Sequence, residues 1–243
     1  MKKILSIVTL TILMASNSYA DITKVEMGAG IWMQTPSGSV NYNGSANGLN
    51  VMKETQDSSR YIWALVKHPL PTIPNLRVEY VKISSDGTAN GTWGSTPVVS
   101  SKSTLDMRQI DLIPYYNILD NTFWTTLDLG IDIKVVDLDY KIASASYEYK
   151  KTVPLPMAYA RVRVEVPRSS LGGEADIKYI TDGSSVISDA RVKLDYTFRS
   201  FPVVQPALEI GYRVQKIKID ESDEDIKTNI DFAGFYAGLM LRF

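Results

Sequence analysis

Charged side chains at alternate positions are the most chemically suggestive feature of this chain. Arg161, Arg163 and Glu165 alternate with Val162 and Val164, and Arg191, Lys193 and Asp195 with Val192, Leu194 and Tyr196. Asp128, Asp132 and Lys134 take turns with Leu129, Ile131 and Ile133. Arg77 with Glu79, Asp111, Asp176 with Lys178, and Glu209 with Arg213 belong to similar stretches. Brought to one face in near-equal numbers, these acids and bases would form ion pairs. Two carboxylates could instead perform acid–base hydrolysis, as in glycosidases. Acids matched by Arg and Lys are more often structural.

Other chemistry is sparse. His68 is the only histidine and sits beside Pro69. If it fixes a Pro-rich turn, no other imidazole remains to move a proton near pH 7. Residues 220–225, from Asp220 to Asp225, are dense in carboxylates and could bind Ca²⁺ or Mg²⁺ through oxygen. They lack the glycine and ligand spacing of a calcium loop, so a solvated loop is the expectation. Gly28 and Gly30 flank Ala29 inside an extended run, where small residues leave room for neighbours rather than cradling phosphate. The absence of cysteine excludes disulfides, thiolate zinc sites and thiol catalysis. A net charge of −1 gives no footprint for nucleic acid. No cofactor and no metal are expected.

The elements that must position these charges are strands. Residues 1–20 read as a secretory signal peptide: Lys2 and Lys3, an apolar run from Ile4 to Ala15, then small residues before a cleavage expected after Ala20. Beyond it no stretch reaches the roughly 20 apolar residues of a membrane helix. Period-two alternation instead marks ten strands, near 23–34, 58–68, 76–84, 104–117, 123–139, 154–166, 173–181, 188–199, 205–219 and 229–243. Long polar connections (35–57, 85–103, 140–153, 182–187, 220–228) take turns with short ones (69–75, 118–122, 167–172, 200–204). Even strand number and this asymmetry predict an all-β fold for residues 21–243: one antiparallel up-and-down transmembrane barrel, short turns periplasmic and long loops outside. Trp32, Tyr61, Trp63, Tyr115, Tyr116, Phe123, Trp124 and Phe198 lie near strand ends, where an interfacial girdle would need them. The last strand ends on Phe243, and Tyr236, Gly238, Leu241 and Phe243 resemble the signal read by the barrel assembly machinery.

Several runs resemble a family of proteobacterial outer-membrane proteins whose label refers to a Gly-Gly pair. They include residues 26–32 (Glu26 to Trp32), His68 to Pro71 with Pro74 and Asn75, and Tyr116 with Leu119, Asp120 and Asn121. Leu127 to Gly130, Pro154 to Met157 and Ser188 to Arg191 also match. The resemblance implies a barrel of about ten strands in the outer membrane, and carries over no activity or catalytic residue.

A barrel of this size is only slightly wider than the eight-stranded one whose interior side chains fill. The lumen charges Glu79, Asp111, Asp128, Asp132, Arg161, Arg163, Glu165, Arg191, Asp195, Glu209 and Arg213 are therefore expected to form a plug. The expected function is non-enzymatic, structural or in surface interaction, with membrane lipid and lipopolysaccharide as partners. Two alternatives stay open. One is a narrow channel tuned by the same charges; the other is a membrane-embedded hydrolase of lipid or peptide.

Overall fold

Alternation of one polar and one apolar face carries the chain into a closed sheet. The computed structural model describes residues 24–42, 49–50, 57–70, 72–93, 96–143, 147–183, 185–200, 203–220 and 226–243. The expected signal peptide and cleavage site, and residues 221–225 of the carboxylate-rich run, lie outside the described residues. The strands are β1 (Lys24–Tyr42), β2 (Leu49–Asn50), β3 (Asp57–Lys67), β4 (Asn75–Trp93), β5 (Thr96–Thr122) and β6 (Thr125–Ile142). They continue with β7 (Tyr147–Glu165), β8 (Leu171–Thr181), β9 (Val186–Thr197), β10 (Gln205–Asp220) and β11 (Ile226–Arg242). β2 is a two-residue pairing against β1, and the other ten each pair antiparallel with their sequence neighbours. β11 returns to β1 and closes the barrel, where the Phe243 N–H donates to the Val25 carbonyl at 2.9 Å. Closure leaves no free edge strand in the ring, the condition for a sheet in lipid.

Register fixes the geometry. Lys24 faces Lys67, and the register line, carried one step on from the Val66–Leu76 pair to Asn75, then runs through Tyr115, Gly130, Tyr159, Lys178, Asp189, Gln215 and Phe232. It returns to β1 at Pro36, so the shear is twelve residues, from 24 to 36. Shear and strand number together set the strand tilt, here within the usual ~35–45°.

The outer surface is an apolar belt. Ile31, Ile62, Ile110, Ile131, Ile210 and Leu239 all point out and are about half exposed or more. On β6 the outward residues are apolar from Leu127 to Val135, and on β10 from Pro206 to Val214. Nine or ten residues at this tilt span ~25 Å, the height of a lipid-facing band. Charge then ends the belt along one level. Arg60, Lys82, Arg108 and Asp137 face one another on successive strands, and Lys216 faces Asp231. At the other end Phe123 and Trp124, both at positive φ, form the two-residue turn between β5 and β6 and stand exposed. Positive φ at both central positions gives the mirror-type hairpin turn that Asn-Gly normally favours.

Two expectations need correction. Residues 85–93, 96–103 and much of 140–153 are strand rather than polar loop. Their outward faces are polar because they stand in water above the belt, while Ser85, Ala89, Val98, Leu105 and Ile142 keep the inward alternation. Trp32, Tyr61, Trp63 and Tyr115 are buried in the lumen and form no part of an outer girdle. On β3 both faces are apolar, so alternation alone did not say which faces in. Tyr116, Phe123, Trp124 and Phe198 do face outward.

Candidate functional site

The lumen is built in layers, each strand contributing every second residue. At the short-turn end Arg163 makes two bonds to Asp195, at 2.7 and 3.2 Å. Arg242 on the closing strand donates to Asp195 at 2.9 Å and pairs with Glu26 at 2.9 Å. One level up, Glu174 gathers four cations: Arg161 at 2.8 Å, Lys193 at 3.1 Å, Arg77 at 3.3 Å and Arg163 at 3.4 Å. Arg161 also holds Asp128. Glu209 accepts from the Tyr61 hydroxyl at 2.7 Å and the Trp63 indole N–H at 3.2 Å. Trp63 itself lies between the Arg77 and Lys193 cations, at 4.8 and 4.9 Å from its ring centre.

That indole fits only because Gly28 lies beneath it. A Cβ on Gly28 would come within 2.5 Å of Trp63 Nε1, and one on Gly30 within 2.6 Å of the Tyr61 hydroxyl. The sequence reading of Gly28 and Gly30 as room for neighbours describes this contact.

In the next layer Glu79 accepts from Lys178 at 2.8 Å and from Arg191 at 2.6 and 3.1 Å. Lys178 reaches on to Asp111, Lys134 pairs with Asp111 at 2.7 Å and with Asp189 at 3.2 Å, and Arg213 grips Asp189 at 2.6 and 2.8 Å. Gln109 and Gln215 seal the top by donating to each other's carbonyl oxygen, both at 2.9 Å. A void beside Trp63 measures about 10 Å³, room for one water at most.

Among the described residues, ten carboxylates (Glu26, Glu79, Asp111, Asp128, Asp132, Glu174, Asp176, Asp189, Asp195, Glu209) line this plug against nine cations (Arg77, Lys134, Arg161, Arg163, Lys178, Arg191, Lys193, Arg213, Arg242). The surplus acid is identifiable. Asp132 is fully buried, and neither of its oxygens has a hydrogen-bond partner.

Of the eleven lumen charges read from the sequence, ten are buried in this network, and Glu165 is half exposed at the rim beside Arg163. Glu26, Glu174, Asp189 and Arg242 were missed. Glu174 and Asp189 had a usable signal, since each sits two residues from a recognised member on the same face. Glu26 and Arg242 gave none, because they meet only when the barrel closes.

Above the Gln109–Gln215 pair the lumen changes character. A cavity of about 190 Å³ opens there, walled by Met107, Leu138, Leu155, Ile187, Ile217 and Phe232 among others. The sequence reading did not anticipate it, although all of these residues but Ile187 lie in the expected strands, because it filled the lumen with the polar faces throughout.

His68 is turn hardware. Its Nδ1 accepts from the Leu70 N–H at 3.1 Å, its Nε2 lies 3.0 Å from the Pro74 carbonyl, and its own N–H donates to Asn75 Oδ1. With Nδ1 accepting, the proton sits on Nε2 and is donated to Pro74. Among the described residues no group of His, Asp and Glu is placed to hold a metal ion.

No family model and no curated protein matches the chain. Solved barrels do resemble it loosely. The translocator domain of the autotransporter NalP from Neisseria meningitidis is 10% identical, with TM-score 0.43 over 100% of this chain and 96% of that one. The transport unit of the autotransporter AIDA-I from Escherichia coli is 10% identical, with TM-score 0.41 over 96% and 95%. Neisserial surface protein A is 14% identical, with TM-score 0.36 over 93% and 100%. Likeness at this level is one of general barrel shape. The apolar belt, closed ladder and short-turn end are what make this chain an outer-membrane β-barrel protein.

Proposed function

We propose that this protein is a non-conducting outer-membrane barrel whose role is played at its external end, in surface structure or interaction. The observation that carries this is the charge-paired plug, which fills the lumen through the thickness of the belt from Glu26 and Arg242 up to Gln109 and Gln215. An ion crossing it would have to break several buried pairs, each costing about 3–5 kcal/mol when one partner is left stranded. The engagement of both His68 ring nitrogens in a periplasmic turn supports a non-enzymatic reading. Contact with lipopolysaccharide belongs to the same proposal. Arg60, Lys82 and Arg108 stand side by side at the external border of the belt, at the level of lipid phosphates. Recognition by the assembly machinery would use the terminal strand, in which Tyr236 and Gly238 face inward while Leu241 and Phe243 complete the seam with β1.

Single-channel recording of the refolded, heat-modifiable protein in a planar bilayer tests the proposal. Silence is expected. Reproducible steps whose ion selectivity changes on Arg161→Gln would overturn it in favour of a channel.

A further inference from the structure

The cavity above the plug is apolar on nearly all sides and yet opens at the external end of the barrel. Its floor is the Gln109–Gln215 pair, so the inference rests on the plugged-lumen reading. Its position relative to the membrane follows from strand lengths. β7 pairs with β8 only from Ala158 to Glu165, so the upper half of β7 stands alone on that side. β8 ends at Thr181, and β9 begins at Val186, opposite Lys218. The Ser188–Lys216 pair, two residues below Val186, lies at the charged border of the belt. The wall is therefore notched at β8–β9, at the height of lipid headgroups, and the cavity lies directly behind the notch, with Ile180 and Ile187 in its lining.

We propose that this cavity takes the hydrocarbon end of a single-chain, fatty-acid-type amphiphile entering through the notch. Three observations favour that occupant. The lining offers branched aliphatic side chains, Met107 and Phe232, and no charge at depth. The volume of about 190 Å³ exceeds the ~150 Å³ apolar cavity that holds benzene, so it has room for roughly six to eight carbons of one chain. The rim at the notch carries Lys151, Asp182, Thr181, Ser185 and Thr228, a collar of one cation, one carboxylate and hydroxyls that keeps the polar head of the amphiphile at the opening and its tail inside. Few polar groups around an apolar pocket is the usual make-up of a small-ligand site.

The test uses full-length mature protein in phosphatidylcholine nanodiscs, which avoids detergent tails in the cavity. The probe is a medium-chain fatty acid with a diazirine at its methyl end, and labelled residues are mapped by mass spectrometry. Saturable labelling of inward residues such as Leu138, Leu155 and Ile217, displaced by decanoate, is expected. Ile187→Trp, which fills the cavity, should lower it by at least about tenfold. Leu155→Phe serves the same purpose from another strand if the first variant fails to fold. Labelling confined to outward residues such as Ile177 and Tyr179 would overturn the proposal, as would displacement by toluene but not by decanoate. Conductance of the same protein in a planar bilayer separates the two readings: a silent barrel without cavity labelling removes the amphiphile site and leaves the plug standing.

Discussion

Below the charged border and above it, the strands that cross it have opposite polarity. In the membrane-level half, the outward positions of β6 are Leu129, Ile131 and Ile133 and the inward ones Asp128, Asp132 and Lys134. A few residues further along, the outward positions are Asp137, Asp139 and Lys141, and the inward ones Val136, Leu138, Tyr140 and Ile142. The inversion follows from solvent. Where lipid lies outside, apolar side chains must face out, and polar ones can be satisfied only by one another in the lumen. Where water lies outside, the strands behave as in a soluble barrel and bury their apolar face. The lower half is held by ion pairs, with Asp132 left over as the surplus acid, and the upper half by packing that leaves one space unfilled.

The comparison can be broken most severely at Lys178. It bridges Glu79 and Asp111 in the middle of the plug, and Lys178→Met takes a buried cation from both, leaving Glu79 to Arg77 and Arg191 and Asp111 to Lys134. A loss of about 3–5 kcal/mol is expected in urea unfolding from lipid vesicles. In the upper half Ile83→Ala should cost about 2–4 kcal/mol by the same assay, through lost packing alone, and leave insertion intact. Asp132→Asn sharpens the contrast. As the surplus acid without a partner, its replacement should change stability by less than about 1 kcal/mol, against the several expected at Lys178.

The smallest expected effect lies outside the membrane, where Lys150 and Lys141 hydrogen-bond to Glu148 and hold its carboxyl below the usual range. A lowered folded value means that the stabilisation is present above the unfolded pKa and fades as pH falls through the folded one. Hydrogen-exchange protection near Glu148, corrected for the intrinsic pH dependence of exchange, should therefore fall slightly on acidification, and Glu148→Gln should abolish that fall.

Closure, antiparallel order, strand number and most of the plug's membership were legible in the sequence, because a period of two exposes both faces of a strand at once. The extended upper strands were not. Segments such as residues 85–93 and 96–103 put Ser, Thr, Gly and Lys on the watery face and small residues inside, and such a pattern matches a loop as well as a strand. The facing of Tyr61 and Trp63 was equally hidden. It depends on Gly28, Gly30 and Gly238 in neighbouring strands, a relation set by the twelve-residue shear rather than by local spacing.

The absence of cysteine permits a direct test of the sealed lumen and its border. Single cysteines at Asp132 (inward, in the plug), Ile131 (outward, in the belt) and Asp137 (outward, above the border) would be exposed to a charged maleimide on protein inserted in vesicles. Rapid labelling at Asp137 with none at Asp132 or Ile131 is the predicted result. Labelling at Asp132 as fast as at Asp137 would show a water-filled lumen and contradict the plug.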